Sequence, residues 1–326
     1  MAYDARAFWV RSPGQGEIRS MVLPVPGSDE VLVRTLCSGI SRGTETLVFR
    51  GEVPASQYAT MRAPFQEGNF PGPLKYGYLS VGVVELGSSA LLGRTVFCLH
   101  PHQTAYVVPA SAVVVVPHSV PPERAVLAGT VETAVNALWD APPLVGDRVS
   151  VVGAGMVGCC LAAVLARFPG VSVELIDVDA GRADVAAKLG VDFALPEQAR
   201  TDRDLVYHCS ATGEGLATAM GLLAKEGSVI ELSWYGDREV SVALGGSFHS
   251  GRLSIRASQV GTIAPARRGS RSHADRLALA LDLLRDATFD ALISGESSFD
   301  QLPEVLAGLA AGSRGALLQL ITYDGE

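Results

Sequence analysis

The sequence has little lysine: Lys75, Lys188 and Lys225 stand against 23 arginines in 326 residues, which leaves few candidates for a catalytic lysine. It is also short of positive charge, with 26 Lys and Arg against 34 Asp and Glu, a net charge of −8 and a pI near 5.3. Such a chain repels phosphate backbones, so non-specific nucleic-acid binding is disfavoured. Cysteine is sparse and odd in number: Cys37, Cys98, Cys159, Cys160 and Cys209 include no Cys-x-x-Cys spacing. A disulfide framework and a four-thiolate metal site are excluded on that count. The opening Met1 to Trp9 carries Asp4 and no apolar signal-like run, which predicts a cytoplasmic protein. The longest uncharged stretch, Val149 to Ala166, is 18 residues, but its three glycines and strand-like start predict a buried strand, turn and helix and no membrane span. Internal repeats and low-complexity tracts are absent. What is present is globular: 48% hydrophobic and 18% charged residues with 35 Gly and 18 Pro, at a length that suggests two domains.

From Phe8 to about Pro117 the chain reads as short strands with turns. Glu30 to Cys37 alternates and is β-branched; Val81 to Leu86, Arg94 to Leu99, Tyr106 to Val108 and Val113 to Val116 follow, with Gly and Pro in the gaps. After Pro122 comes a helical stretch, Arg124 to Trp139. Strands at 148–152, 172–176, 205–209 and 228–232 then alternate with helices at 158–168, 181–189 and 215–223. This rhythm predicts βαβ crossovers and a parallel sheet. It breaks near Ala264 at a loop carrying Arg267, Arg268 and Arg271. Helices at 273–285 and 300–311 and a strand at 315–321 end the chain.

Gly153-Ala154-Gly155-Met156-Val157-Gly158 follows the strand and opens a helix, with Asp177 19 residues beyond Gly158 at the end of the next strand. The first glycine permits a tight turn, the second a close backbone approach to a pyrophosphate and the third close helix-to-strand packing; the acid can bind ribose hydroxyls. A carboxylate there repels a 2′-phosphate and so favours NAD over NADP. Arg182 could greet such a phosphate, stack on adenine or face solvent.

With these segments, and with Pro26 to Val33, Gly39 to Glu45, Gly77 to Glu85 and Leu205 to Ser210, the chain resembles the medium-chain dehydrogenase/reductases, the superfamily of alcohol dehydrogenases and quinone oxidoreductases. The resemblance implies an α/β protein: a GroES-like β-rich substrate domain from residues 1–120 and 263–326, and a doubly wound Rossmann cofactor domain from 121–262. It also implies a homodimer. The departures are informative. Where zinc alcohol dehydrogenases have Cys after Gly-Ile, this chain has Ser41 and Arg42; the family's Gly-His-Glu is Gly77-Tyr78-Leu79; the stretch aligned with the third ligand holds Glu132; and the four-cysteine lobe is absent. These groups do not supply the three or four N, S or O ligands that zinc requires, so a zinc-free branch is expected, with no metal. Ser38 to Pro54, Met61 to Glu67 and Glu132 to Asp140 are similar to the bacteriochlorophyllide a dehydrogenase-like group.

Without zinc, a hydroxyl, imidazole or arginine must stabilise the oxyanion or enolate formed by hydride transfer. Tyr78 could donate its phenol or fill the vacated metal position. Ser41 could bind substrate or cap a helix, Arg42 resembles an arginine that touches the cofactor pyrophosphate, and Thr44 and Glu45 sit where relay and supporting groups occur. His102, in a loop after a strand, is the favoured acid/base against the alternative of an exposed loop histidine. His208 could line the crevice at the strand ends or be buried and bonded to backbone, and Ser210 beside it is expected at the cofactor. Trp234 and Tyr235 could pack on nicotinamide or close the core. The expected activity is hydride transfer between NAD(P)(H), NAD preferred, and a small-molecule substrate, a bulky secondary alcohol or ketone. A conjugated C=C acceptor, as in quinone or enoyl reductases, and a non-catalytic nucleotide-binding role are the alternatives.

Overall fold

The computed structural model describes residues 3–313 and 316–323. The chain forms two compact units, Met1–Gly129 with Ile293–Glu326, and Thr130–Leu292.

In the first unit the long strand Glu30–Ile40 is central. It runs antiparallel to Ser80–Leu86, to Ala105–Pro109 and to Leu318–Thr322, within a sheet that also holds Ile293–Ser298, Thr95–Cys98 and Val113–Val115. Both of its faces are covered: Val31 and Val33 pack with Val84, Val96, Cys98, Tyr106 and Val108, while Leu32 between them packs with Ala5 and Leu23. A smaller sheet pairs Tyr3–Ser12 with Gln15–Leu23 and with the short strand Leu74–Lys75. Gly315, at the start of the expected last strand, lies outside the described residues; the observed strand is Leu318–Thr322.

The second unit is a parallel six-stranded sheet in the order Asp192–Ala194, Ser172–Ile176, Arg148–Val152, Arg203–His208, Leu223–Glu231, Ser254–Ala257. In chain order this is 3-2-1-4-5-6, the doubly wound arrangement, whose direction of winding reverses between Arg148–Val152 and Arg203–His208. Ligands bind such sheets outside the carboxyl ends of the strands at that reversal. The uncharged stretch resolves into the strand Arg148–Val152, a glycine turn and the helix Met156–Leu165, with Val149, Val151, Cys160 and Leu161 fully buried. No helix among the described residues is long and apolar enough to cross a membrane.

The second unit begins and ends later than the rhythm of the sequence suggests, at 130 and 292 in place of 121 and 262. The physical reason is Arg276, on the helix His273–Leu283 that the sequence assigns to the other domain. Its side chain is 1% exposed; Nε donates to Glu132 Oε1 at 3.0 Å, one Nη donates to Asn136 Oδ1 and the other to the Val260 carbonyl. Asn136 Oδ1 also accepts the Ala264 amide at 3.1 Å. A buried charge must be paired, and this one ties its helix to the helix Ala128–Asp140. Removing it as Arg276→Ala strands the buried Glu132 carboxylate and should cost about 3–5 kcal/mol, read as a lowered urea midpoint.

Candidate active site

At the reversal in the second unit each fingerprint glycine has its own cause. Gly153 has φ +106°, and a Cβ there would lie 2.7 Å from the Ser210 amide nitrogen. A Cβ on Gly158 would lie 1.9 Å from the Gly153 carbonyl oxygen, so only glycine lets the helix approach the strand. Gly155 differs: its φ of −77° suits any residue and nothing lies within 4 Å of a Cβ built on it. It caps the helix Met156–Leu165 with no side-chain bond, so space is left open over that helix's amide end, where phosphate binds in such folds. Ala154 and Met156 are buried, and Val157 is half-buried.

Asp177 stands at the end of Ser172–Ile176. Its Oδ2 accepts the Ala154 amide at 2.7 Å and its Oδ1 the Asp179 amide at 2.9 Å, which seats the carboxylate beside the glycine turn. Arg182 is ion-paired to Asp179, Nε to Oδ2 at 3.3 Å.

Across the reversal, His208 is fully buried and bonded to side chains, not to backbone as one sequence alternative had it: Nδ1 is 2.7 Å from Glu231 Oε2 and Nε2 is 2.6 Å from Ser210 Oγ. Tyr235 donates its hydroxyl to Glu231 Oε2 at 3.0 Å. Burial opposes the Glu231 charge, yet the hydrogen bonds from His208 and Ser233 hold its carboxyl below the usual range. The network missed in the sequence is Glu231. Its signal was available, because in a parallel sheet His208 and Glu231 are register partners on adjacent strands. Arg267, Arg268 and Arg271 are exposed.

The first unit gathers a second cluster. Ser41 ends the loop before the helix Arg42–Arg50, and the Ser41 amide donates to Glu45 Oε1 at 2.7 Å, so Glu45 reaches back to hold the helix start while Ser41 itself makes no capping bond. The Ser41 and Thr44 side chains draw the Tyr78 phenol down, but burial and the nearby Glu45 charge outweigh them and push it up to about 12, so it keeps its proton and can donate. Arg42 is exposed at the helix start.

His102 departs from its expected role as a free loop imidazole. The ring is 1% exposed, with Nε2 2.9 Å from Glu45 Oε2 and Nδ1 2.7 Å from Ser38 Oγ, which in turn lies 2.8 Å from the Tyr323 hydroxyl. With Glu45 ionised, the bonds order themselves: Tyr323 donates to Ser38, Ser38 to Nδ1, and Nε2–H to the carboxylate. Both ring nitrogens are thus engaged internally, and His102 supports Glu45 without an atom free for a substrate. Gly77 provides the room, since a Cβ there would be 2.9 Å from His102 Cδ2. Tyr323 carries no motif; the antiparallel pairing of Leu318–Thr322 with Glu30–Ile40 brings it to Ser38.

Neighbouring this chain of bonds, His100 is buried and stacked on Tyr106 at 3.8 Å between ring centroids. Burial, with the Lys75 charge adding to it, pulls its pKa down to about 3, so it is neutral. Lys75 is 2% exposed; Nζ donates to Gln103 Oε1 at 2.6 Å and pairs with Glu67.

The donor set at the positions of the zinc ligands does not fit zinc. Ser41 and Tyr78 offer only a hydroxyl and a protonated phenol, and Glu132 is held by Arg276. Among the described residues no group of three or more His, Cys, Asp or Glu could hold a metal ion.

No protein-family model matches the chain. Two curated relatives named L-threonine 3-dehydrogenase are similar to parts of it. One, from Deinococcus radiodurans, is 25% identical over 58% of the chain and 61% of its own length; the other, from Protochlamydia amoebophila, is 24% identical over 53% and 58%. The matched region thus spans about three fifths of each of these relatives. Among solved structures, L-idonate 5-dehydrogenase from Escherichia coli K-12 superposes with a TM-score of 0.82 at 15% identity over 99% of both chains. An alcohol dehydrogenase from E. coli CFT073 in complex with NADH gives 0.78 at 18%, and a zinc-binding dehydrogenase from Sinorhizobium meliloti 1021 bound to NADP gives 0.78 at 19%, each covering 98% of this chain and 99% of the other. The chain has the alcohol-dehydrogenase-like fold, a GroES-like unit and a Rossmann unit.

The glycines separate stability from binding. Gly158→Ala should lower the melting temperature sharply, because its Cβ has a backbone carbonyl in its path, whereas Gly155→Val should leave melting unchanged and weaken dinucleotide binding, both read by thermal scans with and without NADH.

Proposed function

We propose that this chain is a nicotinamide-dependent oxidoreductase that moves a hydride between NAD(H) and a secondary alcohol or ketone without a metal. The observation that carries the reading is the glycine turn at the sheet reversal: Gly153 and Gly158 bring strand and helix together, and Gly155 leaves open space over the helix's amide end, where a dinucleotide pyrophosphate would sit. The Asp177 carboxylate beside the turn favours NAD over NADP, since it can accept from ribose hydroxyls and repels a 2′-phosphate. The names of relatives and neighbours, which include dehydrogenases of L-threonine, L-idonate and 2R,3R-butanediol, support an alcohol as the substrate class.

A bound nicotinamide would supply or accept the hydride. This chain's residues provide the rest. Met156, Val157 and Gly158 offer amides to phosphate, and Gly155 leaves the space. Tyr78 stands in the role zinc would fill: its phenol, kept protonated, donates to the oxygen on which negative charge develops. Glu45 fixes the Ser41 backbone, and His102 with Ser38 fixes Glu45. Glu45 and His102 are therefore positioning residues.

Paired fluorescence titrations with NADH and NADPH, followed by assays of ketones and enones with and without a strong chelator, test the reading. NADH should bind at least about tenfold tighter, a difference of about 1.4 kcal/mol. Tyr78→Phe should slow carbonyl reduction by about 100-fold while NADH affinity holds. Ionisation of the phenol should not limit the rate at any pH below 10, given its pKa of about 12. Loss of activity on chelation would overturn the metal-free assignment. Turnover of enones with inert ketones would move the acceptor to a conjugated C=C, and binding without turnover would make the chain a nucleotide-binding protein.

A further inference from the structure

The oxidoreductase reading uses the crevice of the second unit to hold a dinucleotide and leaves its side-chain chemistry unexplained. A hydroxyl, an imidazole and a carboxylate are lined up there. Ser210 Oγ is 2.6 Å from His208 Nε2, and His208 Nδ1 is 2.7 Å from Glu231 Oε2. The carboxylate is itself fixed, by the Ser233 amide to Oε1 at 2.8 Å and the Tyr235 hydroxyl to Oε2 at 3.0 Å. An ionised Glu231 takes the Nδ1 proton, which leaves Nε2 as an acceptor toward the serine. Thr212 Oγ1, 3.0 Å from Ser210 Oγ, accepts the Gly215 amide, and with the serine proton directed at His208 it is Thr212 that donates to the serine. Every donor and acceptor in the network then points in one sense, the sense in which an imidazole draws the proton from a serine hydroxyl.

Two further features suit a reacting serine. His208 is fully buried, while Glu231 and Ser210 are half-buried, which leaves the serine reachable. The helix Gly213–Gly221 starts directly against the pair, and a Cβ on Gly215 would fall 2.0 Å from Ser210 Oγ and 2.8 Å from His208 Nε2, so only glycine permits this approach. Thr212 caps the Gly215 amide, and the amides of Gly213 and Glu214 have no hydrogen-bond partner among the described residues. They are donors of the kind that stabilise an oxyanion.

We propose that Ser210, His208 and Glu231 form a nucleophilic triad that hydrolyses small carboxylic esters. Ser210 Oγ bonds to the acyl carbon as its proton passes to His208 Nε2. The carbon–oxygen bond to the alcohol breaks, and the alcohol leaves with that proton. Water then gives a proton to His208 and its oxygen to the acyl carbon; the carboxylic acid departs and the proton returns to Ser210. Ester and water become acid and alcohol, with no redox partner. The activity stands apart from hydride transfer, and a dinucleotide in the same crevice competes with it.

The full-length chain is assayed with p-nitrophenyl acetate and labelled with a fluorophosphonate, with and without NADH, and the labelled peptide is identified by mass. The expected result is one label, on Ser210, and turnover that falls by about 100-fold or more in Ser210→Ala and in His208→Gln. Glu231→Gln should lower turnover and alter its pH profile, an effect that a purely structural role would not produce. NADH should protect Ser210 from the label. Labelling elsewhere, no labelling, or hydrolysis unchanged in a Ser210→Ala protein of wild-type melting temperature overturns the proposal. NADH titration of the same samples separates the two readings: NADH binding without ester turnover removes the triad alone, and ester turnover without NADH binding removes the oxidoreductase reading alone.

Discussion

The first unit depends on one hydrogen bond, from His102 Nε2 to Glu45 Oε2, between two side chains almost wholly withdrawn from water. A carboxylate in that position must have its oxygens satisfied, and the chain meets the requirement with a backbone amide on one oxygen and an imidazole on the other. Four segments distant in sequence are fixed by it: the helix Arg42–Arg50, the strand Glu30–Ile40 through Ser38, the loop that carries His100 and His102, and the end of the chain through Tyr323. The geometry of Tyr78 and Ser41 follows from that arrangement. A polar core network of this kind is demanding, since each member left unpaired would cost more than its pairing gains.

The second unit solves a different problem with a similar economy of residues. Its candidate site groups gather where the strands end: Asp177, His208 and Glu231 lie at or just past the carboxyl ends of three strands, whereas Glu174, buried within Ser172–Ile176, is paired with Arg203. The fingerprint turn divides labour among its glycines, two serving the chain's own packing and one serving empty space.

Much of the fold could be read from the chain. The rhythm of strand and helix between 148 and 232, the strand–turn–helix in the uncharged stretch and the seat of Asp177 beside the turn all rest on local pattern, and the structure has them. What escaped was set by pairing across long sequence separations. The second domain's end is decided by Arg276 reaching Glu132 and Asn136, 144 and 140 residues away, which no local composition signals. His102 reads as a loop residue because the segment is a loop; that its ring turns inward depends on Ser38 and Glu45, 64 and 57 residues distant. Loop does not mean exposed where a buried acid waits for a donor. Tyr235, by contrast, was visible as an aromatic after a strand, and only its hydroxyl's partner was hidden.

The scarcity of lysine acquires a spatial meaning once Lys75 is found inside. Its ammonium is sealed between Glu67 and Gln103, whereas Lys188 and Lys225 stand exposed, both in the second unit. The first unit therefore presents no reachable lysine on its surface. Any process that addresses proteins through lysine, whether acylation, cross-linking or attachment to a solid support, meets a chain with only two exposed lysines, both in the second unit and neither in the unit that holds Tyr78.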